Sequence, residues 1–172
     1  MKLILSDTNL SLPEFISQES YIKYIDLSKL KITNCVGCFG CWTKTPGKCV
    51  IRDDAVKVYP YIAKSDSVIY VSNIKYGTYD TVMKTMLERA IPVQQAFIRL
   101  LDGETHHVQR DVALKKAVII AYGDISDDEK ELFSSLVERN AKNMNFESFE
   151  IIFTKASDLN DTVNSEVAKW EK

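Results

Sequence analysis

The sequence predicts an α/β domain: a doubly wound, five-stranded parallel sheet with helices on both faces, formed as one domain over residues 1–172. Three observations carry that expectation. Near-continuous apolar runs of strand length recur along the chain, as in strands covered on both faces. Amphipathic helical patterns lie between them, and strands alternating with helices argue for parallel crossovers. With 172 residues, 45% of them hydrophobic and 27% charged, the chain is globular and long enough to bury one full core.

The elements follow in order. LILS (3–6) opens the sheet. LSLPEFISQE (10–19) is short and interrupted by Pro13, so only a turn or two of helix is expected there. YIKYIDL (21–27) is the second strand. After a cysteine-rich loop, Asp53 and Asp54 precede a helix with Val56, Tyr59 and Ile62 inward and Pro60 as a blemish. SVIYVSN (67–73) is the third strand, and Tyr79, Met83, Met86, Leu87 and Ala90 keep one face of the next helix apolar until Pro92. The connection from Ile91 to Lys116 is expected to contain no strand. Its Val93, Phe97, Ile98, Leu100 and Leu101 exceed what one edge helix needs, which predicts a homodimer contact. AVIIAYG (117–123) is the fourth strand. Ser126 with Glu129 forms a capping box ahead of the stripe Leu132, Phe133, Leu136, Val137 and Met144. FEIIFT (149–154) closes the sheet, and Leu159, Val163, Val167 and Trp170 make a last amphipathic helix.

Charge and hydropathy exclude several classes. A net charge of -2 and a pI of about 5.7 lack the basic footprint of a nucleic-acid binder. No apolar run approaches the roughly 20 residues that span a bilayer, so no membrane partner is expected. Only five uncharged residues precede Asp7, too short a stretch for a signal peptide's apolar region. The expectation is a cytoplasmic protein whose thiols stay reduced.

The pattern C-x2-C-x2-C-W-x-K-T-P-G-x-C, followed by Asp53 and Asp54, resembles the flavodoxin-like NAD(P)H-dependent FMN reductases and iron–sulfur flavoproteins. SNIKYGTYDTVMKTMLERAIP (72–92) is similar to that family's stretch after the third strand. There a turn, here Tyr76 and Gly77, precedes a helix carrying Lys84, Glu88 and Arg89. GETHHVQR (103–110) is similar to a segment in one branch. The likeness spans most of the chain. It implies a flavodoxin-like sheet, noncovalent FMN, NADH or NADPH as reductant, and a dimer or higher oligomer. The activity implied is an FMN-dependent NAD(P)H oxidoreductase, like a flavin or quinone reductase, serving a small-molecule or protein electron acceptor. Two alternatives stand beside it. One is a flavodoxin-like electron-transfer protein with FMN and a 4Fe–4S cluster. The other is a module with a degenerate FMN site, acting in interaction or thiol redox sensing. No catalytic residue is assigned, because no side chain is an obvious acid or base and the cofactor carries such chemistry.

In doubly wound sheets the ligand sits beyond the carboxyl ends of the strands where the strand order reverses. With the resemblance, the candidate FMN residues are Ser6, Thr8, Asn9 and Ser11 after the first strand, Asn73, Lys75, Tyr76, Gly77, Thr78 and Tyr79 after the third, and Tyr122 and Gly123 after the fourth. The bland alternative for the second group is an ordinary turn with Thr78 as N-cap. The first loop departs from the family's phosphate-holding pattern of Gly/Ser-Ser-x-Arg-x-x-Ser-x-Thr. It reads Ser6-Asp7-Thr8-Asn9-Leu10-Ser11: the arginine is missing, and Asp7 puts a carboxylate where the phosphate would sit. A like-charge pair at about 4 Å costs roughly 1 to 4 kcal/mol between effective dielectrics of 80 and 20.

The four cysteines, Cys35, Cys38, Cys41 and Cys49, are the only ones in the chain. Three readings stay open. They hold a 4Fe–4S cluster, since close spacing builds such loops. They hold zinc, which more often takes two separated C-x2-C pairs. Or they line a plain turn with free thiols or a labile disulfide, the reading favoured by Thr45-Pro46-Gly47, which sets a tight turn unaided. Trp42 either packs or stacks on the flavin. Glu104, His106 and His107 are either solvated or a metal or proton site.

Overall fold

The structure is a computed structural model and describes residues 1–171. The chain runs β1 (Lys2–Ser6), α1 (Phe15–Gln18), β2 (Ile22–Asp26), α2 (Gly40–Thr43), α3 (Ala55–Lys64), β3 (Ser67–Lys75), β4 (Thr78–Tyr79) and α4 (Thr81–Glu88). It continues with β5 (Gln94–Leu101), β6 (Glu104–Gln109), β7 (Lys115–Tyr122), α5 (Asp127–Met144), β8 (Phe146–Thr154) and α6 (Leu159–Ala168).

Five parallel strands lie in the order β2-β1-β3-β7-β8, with β4 added antiparallel at the end of β3. This is the doubly wound flavodoxin order, with its reversal between β1 and β3. The register pairs Ser6 with Val71, and Asn73 with Tyr122, so the carboxyl ends of β1, β3 and β7 stand side by side. Period-2 alternation divides the core. Leu3 and Leu5 face Val58, Met83, Phe133 and Val137 from α3, α4 and α5. Ile4 faces Ile16 from α1 and Leu159, Val163 and Val167 from α6. All five expected strands form.

The local signals explain most boundaries. Ser126 Oγ accepts from Glu129 N, and Glu129 returns a carboxylate to Ser126 N, so α5 starts on its capping box. Pro60 lies inside α3 without ending it. α1 is a single turn of four residues, as the short Pro13 segment implies.

Two expectations are corrected. The connection from Ile91 to Lys116 is not strandless: β5 and β6 pair as an antiparallel hairpin outside the main sheet. Its turn is Asp102-Gly103, both residues at positive φ (50° and 78°), the left-handed pair that a two-residue hairpin turn requires. Thr78 is not the N-cap of α4. It sits in β4, and Asp80 caps the helix by accepting from Thr81 N at 2.7 Å. No helix among the described residues is long and apolar enough to cross a membrane.

Candidate functional site

At the sheet's carboxyl end the first loop is stitched to its neighbours by Asp7. Its carboxylate accepts from Ser72 Oγ (2.8 Å), Asn73 N (2.8 Å) and the Tyr122 hydroxyl (2.9 Å). Burial pushes the Asp7 carboxyl above its ordinary value, against the lowering effect of these three bonds. The carboxylate therefore turns inward and ties β1, β3 and β7 together, rather than standing in an open anion site. Ser6 is buried, and its hydroxyl donates to Thr8 O at 2.7 Å. Asn9 and Ser11 are exposed; Asn9 Oδ1 accepts from Lys29 at 2.6 Å.

The loop after β3 turns at Tyr76 and Gly77, both at positive φ (54° and 67°). Gly77 is required by packing, because a Cβ there would lie 2.5 Å from Leu132. Gly123 sits at φ 132°, a conformation that L side chains rarely adopt, with Asn73 Oδ1 close by. Tyr79 is a core residue, meeting Phe133 edge-on at 4.9 Å between ring centroids. Lys75 pairs with Asp80 at 3.3 Å, and Asn73 Nδ2 donates to the same carboxylate at 3.2 Å. Tyr76 is 86% exposed. An open cleft of about 660 Å³ runs beside this turn, lined by Lys75, Tyr76, Thr78, Asp80 and, from the cysteine loop, Asn34 and Cys35.

The cysteine loop is clamped at both ends by Arg89 from the end of α4. Its fully buried guanidinium forks onto Asp53 (2.6 and 2.9 Å) and donates to Thr33 O at 2.7 Å. Cys49 Sγ lies 3.4 Å from the same guanidinium. Burial alone would raise Asp53, but the bonds from Arg89 and Thr33 outweigh it and hold this carboxyl well below the usual range. Trp42 does not stack in the cleft: its indole donates to Gln94 O at 3.1 Å and packs on His107, centroids 4.7 Å apart. Arg110 lies over Gly47, leaving a Cβ there only 3.0 Å. The β5–β6 hairpin thus backs the loop.

Between these anchors the thiols are free. Cys35 and Cys38 are exposed, and Cys41 and Cys49 half-buried. Burial pushes the Cys41 thiol up, and the nearness of Cys49, Cys35 and Cys38 adds to it. Gly37, Phe39 and Gly47 all adopt positive φ, the bends that gather the thiols on one loop. Four soft sulfur donors are the donor set of an iron–sulfur cluster, with Cys49 packed against the main core and Cys35 and Cys38 exposed. Among the described residues, no three His, Cys, Asp or Glu side chains are already arranged to hold a metal ion. His106 hydrogen-bonds Glu104 (2.9 Å) and Asn143 (3.0 Å) instead.

Sequence reasoning missed the partners that fix these loops. Tyr24, whose hydroxyl accepts from Leu10 N at 2.9 Å, looked like a strand residue only. Arg89 entered only as part of a resemblance. Asp80 had a readable signal, since Asp immediately before Thr81 and a helical stripe marks an N-cap.

A protein named "Iron-sulfur flavoprotein" from Archaeoglobus fulgidus is 35% identical over 71 residues, covering 41% of this chain and 31% of that protein. The chain thus matches under a third of that relative's length. No family model matches. A solved structure titled azoreductase AzrA superposes with a TM-score of 0.62 at 12% identity, covering 98% of this chain and 97% of that one. An FMN-dependent NADH-azoreductase from Bacillus anthracis, solved with FMN, superposes with a TM-score of 0.55 at 10% identity, covering 98% and 95%. The fold is the flavodoxin-like one of these reductases, and in sequence the chain is similar to iron–sulfur flavoproteins over part of its length.

Proposed function

We propose that this chain is an FMN-dependent NAD(P)H oxidoreductase of the iron–sulfur flavoprotein kind, with the flavin ring in the cleft beside the turn after β3, which the residues after β1 and β7 do not line. A 4Fe–4S cluster on Cys35, Cys38, Cys41 and Cys49 is part of the proposal. One observation carries it: the cleft of about 660 Å³ is walled by the turn after β3 on one side and by Asn34 and Cys35 on the other. A flavin-ring turn and a thiol loop therefore share one cavity. The likeness to an iron–sulfur flavoprotein and to a reductase solved with FMN supports the two groups separately.

Bound FMN would supply hydride uptake from the nicotinamide and onward electron delivery. The chain's own residues do the rest. The turn over Asn73–Tyr79 offers backbone groups to the ring's polar edge, and Lys75, held by Asp80, adds positive charge at the rim. Tyr76 offers an exposed aromatic face. The four cysteines would ligate iron as thiolates. NADPH and NADH both remain in this proposal, and the acceptor is a small molecule or a protein reached through the open cleft. The chain works in the cytoplasm, where its thiols stay reduced, and as a homodimer. Phe97, Ile98 and Leu100 on the hairpin are 71, 64 and 76% exposed, which supports self-association there.

Anaerobic protein loaded with FMN should lose its flavin absorbance when NADPH or NADH is added in stoichiometric amount. No bleaching by either nucleotide would sink the oxidoreductase reading. Light scattering at micromolar concentration checks the dimer, and a monomer there would overturn that part.

A further inference from the structure

The flavin reading leaves open which part of the ligand this chain recognises, and the loop after β1 bears on that question. A phosphate dianion needs free N–H donors or an unpaired cation. In this loop Asp7 N donates to Val71 O at 3.1 Å, and Thr8 N to Ser6 Oγ at 3.2 Å. Leu10 N donates to the Tyr24 hydroxyl at 2.9 Å, and Ser11 N to Asn160 Oδ1 at 3.0 Å. Four of the five backbone donors from Asp7 to Ser11 are already engaged within the fold, which leaves the single N–H of Asn9, too few to cradle a dianion. The hydroxyl of Ser6 is occupied by Thr8 O, and Tyr24 reaches the same carbonyl at 3.4 Å. Lys29 touches the loop at Asn9, but it is paired with Asp26 at 2.9 Å.

The surrounding architecture points the same way. α1 is only four residues long and begins at Phe15, well past the loop. Leu10 is 6% exposed and belongs to the core, so the loop is pinned from below as well. Asp7 brings a carboxylate into the same corner, fastened to β3 and to Tyr122. A phosphate would have to displace several of these bonds and approach that carboxylate. The turn after β3 is also bonded within the fold, by Asn73 N on Asp7 and by the β3–β4 pairing, but a cleft of about 660 Å³ with room for a ring system opens beside it.

We propose that this chain recognises the isoalloxazine ring system and not the phosphate, so that it takes riboflavin as readily as FMN. The flavin is then an exchangeable ligand rather than a prosthetic group locked in by its phosphate. This rests on the flavin reading above, and the test separates the two. The full chain is titrated with riboflavin and, separately, with FMN, following the quenching of flavin fluorescence at low and at raised salt. The two Kd values should agree within about tenfold, and the FMN value should not climb with salt as a phosphate contact would make it. An FMN preference beyond about tenfold, or one that salt erodes, overturns this inference and leaves the flavin reading standing. Binding of neither flavin overturns the flavin reading and this inference with it.

Discussion

The loops after β1 and β2 lie at the same end of one sheet and use their polar groups in opposite ways. The first turns inward: four of its five N–H groups, the Ser6 hydroxyl and the Asp7 carboxylate bond within the chain, while exposed Asn9 N does not. The second is fastened at its margins by Arg89 on Thr33 and Asp53, and within by Trp42 on Gln94 and Arg110 over Gly47. Its four thiols form no disulfide, and only that of Cys49 is engaged, by Arg89 at 3.4 Å. Buried polar groups must be satisfied, so a closed loop has few to offer a ligand. A loop anchored at its ends can hold reactive groups in place while keeping them available. The difference leaves the cysteine loop, more than the loop after β1, with side chains free to meet a ligand.

The largest break should come from Arg89→Met. It leaves the Asp53 carboxylate without its buried partner, and breaking such a pair costs about 3 to 5 kcal/mol. Urea unfolding measures this, and a loss below about 1 kcal/mol would mean that the clamp does not anchor the loop. Asp7→Ala comes next. It strips the acceptor from Ser72, Asn73 N and Tyr122, and a loss of about 1 to 3 kcal/mol is expected in the same assay.

The two anchoring carboxylates should also separate by pH. Asp53 is held below its ordinary value of 3.8, so the stability it contributes is present above 3.8 and is lost as pH falls through its folded value. Asp7 is raised above 3.8, so its contribution has the opposite sign: present below 3.8 and lost as pH rises through its raised value. Acid unfolding curves should therefore flatten in Asp53→Asn and steepen in Asp7→Asn. Parallel curves for wild type and both variants would contradict these assignments.

The smallest stability effects belong to the thiols. Each Cys→Ser change should shift the apoprotein by about 1 kcal/mol or less, least at exposed Cys35 and Cys38. Yet any one of the four should abolish iron retention, because a cluster needs its whole ligand set. Retained iron in all four variants would break the link between loop and cluster.

Much of the fold was legible because runs such as AVIIAYG are buried on both faces and leave little choice but a central strand. The β5–β6 hairpin was not. β5 is largely exposed and β6 mostly half-buried, neither with a clear alternation, and Asp102-Gly103 was the one local cue. At the site, the positions of the loops followed from the strand order, but their closure did not. Asp7 reads as a charge in an anion loop; its direction depends on Ser72 and Tyr122, 65 and 115 residues away. Arg89 and Asp53, 36 residues apart, are invisible as a pair for the same reason. The cysteine spacing was plain, but Pro46-Gly47 explains a tight turn without a cluster, so spacing alone favours the simpler turn. The clamp around the loop and the partial likeness to iron–sulfur flavoproteins shift the balance.

Iron and acid-labile sulfide, measured on protein purified and kept without oxygen, test the central claim most directly. About four of each per chain are expected if Cys35, Cys38, Cys41 and Cys49 hold a 4Fe–4S cluster. No iron, with all four thiols titratable, would contradict the account and leave the segment a turn beside the cleft.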